Sequence, residues 1–557
     1  MKNKFHTKSV LFIAIAVVLS FNTTHAQVLT NKNARYTEAD SLRGSLRAER
    51  AYEVLKYHLQ VRVDPEKRFL SGYNTISFKA EENLPVMQID LFENMKVDSI
   101  IHNNKSLKHD RRHNAVFVTL DRPVPKGTID SVQFFYSGNP HVARNAPWDG
   151  GFVFTKDEEG NHWIAVAVQG TGASLWYPNK DHQSAEPKEV LIEAAVPNGL
   201  MNVSNGRFVG KKDLGNGYTR WSWKVNSPIN NYNIVLNIAN YAHFSDTYKS
   251  AGHNDLDLDY YVLPYNLKKA KKQFEEVQPM MECFYEKFGE YPFVEDGFKL
   301  IETPYLGMEH QSAVAYGNNY MKGYLGRDLS GTGIGLEWDY IIIHESGHEW
   351  YGNSITTADI ADMWVHEGFT SYTEAVYVEC RWGKEKALEY LKGLRRGVSN
   401  RSPIIGDYGV NQEGSGDMYS KGSNLLNTIR SIYNDDELWW KTLKDYTESY
   451  RHKVITTDTT EAFFDKAIDV DLKPVFDQYL RQAALPVLEF KKTKNSYHYR
   501  WKANVDNFTM PVDVFINDKE VRLYPTTRFQ ELGAPVSTKE EIRVNDSKFY
   551  IGTEFVD

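Results

Sequence analysis

At residues 341–350 the chain reads Ile-Ile-Ile-His-Glu-Ser-Gly-His-Glu-Trp. His344 and His348 stand four positions apart, so a helix would project both imidazoles from one face, where they can bind one ion. Glu345 is offset by about 100° around that helix, where it can act on a metal-bound water without itself binding the metal. The stretch therefore predicts a helix that carries a zinc site suited to hydrolysis.

A hydrolytic zinc site uses three protein ligands and leaves the fourth position to water, so a third ligand is expected. Glu367 is the candidate, because a following helix would return antiparallel to the first and bring it close. His366 and His310 are alternatives, although a lone histidine of this kind more often packs in the core or supports a ligand from behind, as we expect for His366. Glu374 lies seven residues after Glu367, on the same helix face, and either orients a ligand histidine or is an ordinary carboxylate.

Composition limits the class of protein. A chain of 557 residues with 41% hydrophobic positions is too long for one core and predicts about three or four domains. The net charge of −8 provides no basic surface for nucleic acid. The sequence has one long apolar run, at the N-terminus, whereas a polytopic membrane protein needs several. It is therefore not a polytopic membrane protein.

The first 26 residues have the pattern of an export signal. Lysines precede the apolar run Val10–Leu19, and Ala26 offers a small residue for cleavage before Gln27. The alternative is an uncleaved anchor, but ten apolar residues are few for a membrane span. We therefore expect a periplasmic or secreted protein with no membrane span after cleavage.

Two cysteines, Cys283 and Cys380, are too few for a disulfide scaffold. The sequence favours two buried, unpaired small residues. A single bridge stays open as an alternative, because sequence alone cannot place two sulfur atoms together.

The hydrophobic pattern divides the mature chain into three parts, which together predict a multidomain α+β protein. Residues 27–263 alternate with period two and predict an antiparallel β domain. Residues 264–484 show helical spacing, with a strand near Phe298–Glu302, and predict a mainly α catalytic domain. Alternation returns over residues 485–557, which predict a small β domain.

Several segments resemble one known family, the zinc aminopeptidases of the aminopeptidase N and leukotriene hydrolase type, which are gluzincins. His344, Glu345 and His348 are followed after eighteen residues by Glu367, as in that family. The other matching segments are Leu306–His310, similar to the G-A-M-E-N motif, Met418–Gly422, similar to the Y-x-K-G motif, Gln169 upstream of Leu175–Pro178, and Phe476–Pro486, similar to the end of the catalytic domain.

The resemblance implies a thermolysin-like catalytic domain and a role for each matching residue. His344, His348 and Glu367 would hold one zinc ion per chain, and Glu345 would be the general base. The implied substrate contacts are Glu309 and Gln169 on the free α-amine, Tyr419 on the oxyanion, and the backbone of Gly307 and Met308 on the peptide as an added strand.

The sequence also departs from the family. His310 and His366 stand where the family has Asn, and Ser346 and Gly347 replace a larger pair. The sequence ends after the small β domain, where long members add a helical domain. The cleft is therefore expected to be open or to be covered by another subunit, in a monomer or a homodimer.

The resulting hypothesis is a zinc aminopeptidase that acts on peptides with a free N-terminus. One alternative is a zinc peptidase that releases dipeptides or cleaves oligopeptides internally, which an open cleft would permit. A second alternative is a catalytically silent peptide-binding protein, which the presence of every catalytic side chain argues against.

Overall fold

The structure is a computed structural model that describes residues 36–493, 496–532 and 541–557. The predicted export signal, residues 1–26, lies outside this part of the chain. Within the described ranges, no helix is long and apolar enough to cross a membrane.

The N-terminal part is built of β-sheet after one short helix, α1 (Glu38–Gly44). Among the described residues its strands form sheets of eight, four and three strands. The eight-stranded sheet has the order β13-β14-β11-β1-β2-β8-β4-β5. The strands are β1 (Tyr52–Asp64), β2 (Phe69–Ala80), β3 (Leu84–Asp90), β4 (Met95–His102), β5 (Lys105–Ser106), β6 (Lys108–Arg112), β7 (Ala115–Val124), β8 (Ile129–Gly138), β9 (Gly151–Lys156), β10 (His162–Ala167), β11 (Glu189–Pro197), β12 (Met201–Val203), β13 (Arg207–Asp213), β14 (Tyr218–Val225) and β15 (Asn237–Ala239).

The predicted β domain is confirmed, with one exception to its antiparallel pairing. The ladder between β1 and β11 is parallel, with Tyr57 opposite Val190. In β1 the alternating residues Tyr57, Leu59 and Val61 are buried, because successive side chains of a strand point to opposite faces. That period-two burial is the pattern from which the sheet was predicted.

The middle part, which the sequence predicts to be the catalytic domain and which is called the catalytic part below, contains the predicted group of helices. It also contains a five-stranded sheet, of which the sequence predicted only the strand near Phe298–Glu302. The sheet has the order β16-β17-β18-β20-β19. The strands of this part are β16 (Ala242–Tyr248), β17 (Leu256–Val262), β18 (Phe298–Glu302), β19 (Gly307–Met308), β20 (Val314–Tyr316), β21 (Ile355–Thr357) and β22 (Lys453–Ile455). The helices are α2 (Leu267–Gln273), α3 (Val277–Phe288), α4 (Tyr340–Gly347), α5 (Trp364–Trp382), α6 (Lys384–Leu394), α7 (Ser420–Tyr433), α8 (Asp436–Ser449), α9 (Thr457–Asp465) and α10 (Lys473–Leu480).

The catalytic sheet crosses the position at which the sequence placed a domain boundary. Strands β16 and β17 precede residue 263, yet β17 pairs in parallel with β18 of the catalytic part. The boundary itself stays a prediction. Strand β19 is one of the two outer strands of this sheet and pairs antiparallel with β20.

The C-terminal part is a small β unit, as predicted. Within the described residues it forms a four-stranded sheet, β27-β24-β23-β29, and a three-stranded sheet, β26-β25-β28. Its strands are β23 (Val487–Lys492), β24 (Tyr497–Lys502), β25 (Val512–Ile516), β26 (Lys519–Leu523), β27 (Gln530–Glu531), β28 (Ile542–Val544) and β29 (Gly552–Val556).

The two cysteines correct an expectation. Cys283 on α3 and Cys380 on α5 form a disulfide, with their Cα atoms 6.0 Å apart. Cys283 is buried but Cys380 is exposed, so the expected pair of buried, unpaired residues is wrong. Helices α3 and α5 pack side by side, which brings together residues 97 positions apart in the sequence.

Candidate active site

Helix α4 carries His344 and ends with His348 as its C-cap residue, and Asp339 fixes its first turn. The Oδ1 atom of Asp339 accepts hydrogen bonds from the backbone N–H groups of Ile341 at 3.1 Å and Ile342 at 3.3 Å. This is an N-cap, which satisfies donors that the first turn of a helix leaves free. The helix spans Tyr340–Gly347, so it begins directly after this cap and ends at a glycine, which is a poor helix former.

Helix α5 brings the third predicted ligand to the same point. The Oε2 atom of Glu367 lies 3.7 Å from Nε2 of His344 and 3.3 Å from Nε2 of His348. All three side chains are buried. The structure thus places the three predicted zinc ligands together, with their ligating atoms facing one another.

The other nitrogen of each histidine is held by a neighbour. Nδ1 of His344 lies 2.7 Å from Oε1 of Glu374, and Nδ1 of His348 lies 3.0 Å from the carbonyl oxygen of Tyr351. Because a carbonyl and a carboxylate accept, each Nδ1 is the donor, which leaves Nε2 as the nitrogen that can bind a metal ion. Tyr390 in turn donates to Oε2 of Glu374 at 2.6 Å.

These residues fit a zinc ion. Their ligating atoms all lie within 4.8 Å of one another, and two imidazoles with one carboxylate are a ligand set that zinc prefers. In the described part of the chain, Oε2 of Glu367 is buried without a hydrogen-bond partner. A buried carboxylate oxygen that faces two imidazole lone pairs is costly unless a cation lies between them.

Glu345 lies between the triad and strand β19. Its carboxylate packs on the backbone of Gly307, where a Cβ atom would come within 2.9 Å of Oε1. The same Cβ atom would come within 2.8 Å of Cγ2 of Ile341, so a side chain at position 307 would crowd both Ile341 and Glu345 on helix α4. Burial raises the pKa of Glu345 to about 7, opposed by the neighbouring His344.

Glu309 and Gln169 meet at the same cleft, although they lie 140 residues apart. Nε2 of Gln169 donates to Oε1 of Glu309 at 2.6 Å, and the hydroxyl of Tyr232 donates to that oxygen at 3.0 Å. Oxygen or nitrogen atoms of Glu309, Glu345 and His348 lie within 4.8 Å of one another. Burial raises the pKa of Glu309, and His348 opposes that shift.

Strand β19 carries Gly307 and Met308 along the wall of the cleft. Both residues line the cleft, and β19 is one of the two outer strands of its sheet. An outer strand leaves one row of backbone N–H and C=O groups unpaired by the sheet, and an extended peptide can bind there as a further strand.

Tyr419 caps helix α7 beside the triad. Its ring centroid lies 6.1 Å from that of His344, at an interplanar angle of 22°. Burial raises the pKa of Tyr419 well above 10, and Glu367 adds to that shift. The phenol is therefore protonated at neutral pH and can donate a hydrogen bond into the cleft.

A glycine contact fixes the distance between Tyr419 and the triad. A Cβ atom on Gly422 would lie 2.8 Å from Cα of Gly368, so α7 and α5 touch backbone to backbone. Lys421 strengthens this placement, because its Nζ donates to the carbonyl oxygens of Gln482 at 3.0 Å and Ala483 at 2.9 Å. The Lys and Gly of the Y-x-K-G pattern thus position the Tyr.

The two histidines that depart from the family pattern do not line the cleft. His366 accepts a hydrogen bond at Nε2 from the backbone N–H of Thr357 at 3.1 Å. His310 has no hydrogen-bond partner on either ring nitrogen within the described residues. Burial lowers the pKa of each to about 3, so both are neutral core residues.

The residues converge on a cleft of about 710 Å³, which the sequence could not outline. The predicted catalytic, ligand and substrate residues line it, while Glu374 lies behind His344. Sequence reasoning missed Tyr232, Tyr390 and Trp148. Tyr232 precedes Glu309 by 77 residues, and no local pattern links two such distant positions.

Residues 265–479 match the model of the peptidase family M1 domain. Human glutamyl aminopeptidase is 25% identical over 357 residues, which are 62% of this chain and 36% of that protein. Probable aminopeptidase 1 of Saccharolobus solfataricus is 20% identical over 481 residues, which are 82% of this chain and 59% of that protein. The chain thus spans less than two thirds of the length of either relative.

Solved structures share the fold. A variant of an M1 zinc metallopeptidase from Deinococcus radiodurans, bound to a Tyr-Ser-Ala substrate, superposes with a TM-score of 0.65 at 19% identity. The match covers 78% of this chain and 95% of that chain. At this level of identity the likeness shows a shared fold.

Proposed function

We propose that this chain, in which residues 265–479 match the model of the peptidase family M1 domain, is a zinc aminopeptidase that removes N-terminal residues from peptides. One observation carries the proposal. Two buried imidazole Nε2 atoms face Oε2 of Glu367 at 3.7 and 3.3 Å, while Glu309 stands beside the same triad.

His344, His348 and Glu367 would hold the zinc ion, one per chain. The second cluster of possible ligands, Glu309, Glu345 and His348, shares His348 with the first, so both belong to one site. When bound, zinc supplies Lewis acidity, which polarises the scissile carbonyl and lowers the pKa of water.

The remaining chemistry belongs to the side chains of this chain. Glu345 takes a proton from the attacking water and gives it to the leaving amine, the work of a general base and then a general acid. Tyr419 donates a hydrogen bond to the oxyanion, a charge that develops only in the transition state.

Glu309 explains why one residue would be removed at a time. Its carboxylate can bind the ammonium group of the substrate, while Gln169 and Tyr232 hold it in place. It lies within 4.8 Å of atoms of Glu345 and His348, which leaves room for about one residue between the amine and the scissile bond. This favours the aminopeptidase over release of dipeptides or internal cleavage.

The test uses residues 27–557, one short peptide with a free N-terminus and its N-acetylated twin. We expect stepwise loss of single residues from the free peptide alone, abolished by a zinc chelator and restored by added zinc. Mass spectrometry follows the products. Cleavage of both peptides at an internal bond would contradict the aminopeptidase, and binding without any cleavage would support a silent peptide-binding protein.

A prediction about specificity arises from the charges in the cleft. Glu413 lines it along with Glu309, and no Lys or Arg lines it among the described residues. Burial raises the pKa of Glu413 to about 7, so at pH 8 and above its carboxylate is mostly charged and repels a like charge. Peptides that begin with Arg should therefore be cleaved at least about tenfold more efficiently (kcat/KM) than otherwise identical peptides that begin with Glu.

Matched kinetics of the two peptides check this preference. Glu413→Gln should reduce the ratio of kcat/KM for the Arg peptide to kcat/KM for the Glu peptide. The kcat/KM for a peptide that begins with Leu should change little. A clear preference for Glu at the first position, as the name of the human relative suggests for that protein, would refute the prediction.

Export is a further part of the proposal. The signal-like residues 1–26 support it, and so does the disulfide between Cys283 and Cys380, because such bonds persist mainly in oxidising compartments. In a periplasmic or secreted protein, the N-terminal residue of the mature chain would be Gln27.

A further inference from the structure

The segment at the start of the described chain packs against two loops that line the cleft, at residues 169–171 and 411–413. Helix α1 begins with a capping box between Thr37 and Asp40. Its last residue, Gly44, lies against the backbone of Asn411, where an added Cβ atom would overlap the Asn411 nitrogen. Asn411 itself lines the cleft. Helix α1 is thus a neighbour of the active site, far from it in sequence but close in space.

Arg43, on the same helix, holds the loop that carries Gln169. Its Nη1 donates to the carbonyl oxygens of Gly170 at 2.9 Å and Thr171 at 2.5 Å. Its Nη2 lies 3.4 Å from Oδ1 of Asp181. The two carbonyls belong to the residues that directly follow Gln169, so the guanidinium fixes the backbone at the base of that side chain.

Asp181 closes the loop from the other side. Its Oδ2 accepts hydrogen bonds from the backbone N–H of Ser174 at 3.1 Å and from the Ser174 hydroxyl at 2.5 Å. Gly172, between these contacts, has φ +110°, and a Cβ atom there would overlap both Asp181 and Arg43. The loop is therefore wrapped tightly around the Arg43–Asp181 ion pair.

The support continues into the core of the β domain. Arg50 is buried, pairs with Asp90, and donates to the carbonyl oxygens of Arg43 at 2.6 Å and Asp181 at 3.1 Å. A buried arginine with several acceptors resists movement, because breaking any contact leaves a desolvated charge or carbonyl. Arg50 thus fixes the positions of Arg43 and Asp181 from the side of the β-domain core.

We propose that Arg43 is a positioning residue for substrate binding, acting on the free amine through Gln169 and Glu309. The inference rests on the proposed aminopeptidase function, since it concerns how that function holds its substrate. Gln169 donates to Glu309 at 2.6 Å, a contact that depends on where the loop places the Gln169 backbone. If the loop is loosened, Gln169 no longer bonds to Glu309, and Glu309 binds the ammonium group of the substrate less tightly.

The test compares Arg43→Ala, Arg43→Lys and the matched control Arg47→Ala in the mature full chain. Arg47 lies on the same segment, but among the residues that the structure describes its guanidinium bonds only to the hydroxyls of Ser45 and Ser41. With a free tripeptide as substrate, we expect Arg43→Ala to raise KM about tenfold while kcat stays within about twofold. Arg43→Lys should recover part of the loss, and Arg47→Ala should behave as wild type.

A double-mutant cycle separates positioning from general destabilisation. In a Gln169→Ala background, Arg43→Ala should change KM by less than about twofold, because its effect passes through Gln169. Full additivity of the two substitutions, or an unchanged KM for Arg43→Ala, would overturn the proposal.

Folding and activity controls complete the design. If a thermal melt shows that Arg43→Ala does not fold, Arg43→Lys replaces it in the double-mutant cycle. An unchanged KM for Arg43→Lys would then also overturn the proposal. If the wild-type chain cleaves no free peptide, the proposed aminopeptidase function is wrong. The wild-type measurement alone shows this, independently of the Arg43 variants.

Discussion

Glu345→Gln is expected to lower kcat by about 10³-fold while the bound zinc is retained. Removal of a general base costs typically 10²–10⁴ in rate. The amide has the same shape as the carboxylate but cannot take a proton from water. Glu345 is not one of the three convergent ligands, so the substitution leaves His344, His348 and Glu367 intact. Initial rates on a free tripeptide, with zinc content by elemental analysis, check both parts.

The control for this substitution is Glu337→Gln. Glu337 is an exposed carboxylate three residues before helix α4. It should keep wild-type activity and zinc content. If Glu345→Gln retained a tenth of wild-type kcat, or lost its zinc, then Glu345 would not be the general base.

Tyr419→Phe is expected to lower kcat by about 10²–10³-fold with KM within about threefold of wild type. A hydrogen-bond donor to a developing oxyanion typically contributes about this factor to kcat. Its loss destabilises the transition state more than the bound substrate. The ring of Tyr419 lies beside that of His344, so phenylalanine preserves the packing and removes only the hydroxyl. Steady-state kinetics separate kcat from KM.

Loss of a hydroxyl far from the cleft provides the comparison. Tyr524 in the C-terminal part is 66% exposed, and Tyr524→Phe should leave both constants unchanged. A result for Tyr419→Phe in which KM rises and kcat holds would assign Tyr419 to substrate binding.

Local patterns explain how much of the fold was predictable. The alternation of Tyr57, Leu59 and Val61 identified a strand, because the period of a strand follows from its own backbone geometry. The sequence could not reveal that this strand pairs in parallel with β11, more than 120 residues later, since partner choice is a tertiary property. The disulfide was missed for the same reason, because the packing of α3 against α5 brings Cys283 and Cys380 together.

The candidate site divides in the same way. The spacing of His344, Glu345 and His348 predicted their common helix, since one turn of helix sets which residues share a face. The contacts of Tyr232 and Gln169 with Glu309 required the folded chain, because they join the β domain to the residue that directly follows strand β19. No periodicity connects such positions.

The sequence by itself determined the chemistry of this protein, since residue types at helical spacing dictate two imidazoles on one face with a carboxylate beside them. The tertiary structure decided where these side chains lie relative to one another and to the residues that would bind the substrate. Close contacts such as Gly368 on Gly422, Gly307 on Glu345 and Arg43 on the loop of Gln169 set the distances in the cleft. These contacts arise from packing between distant segments, and packing is determined by the whole chain together.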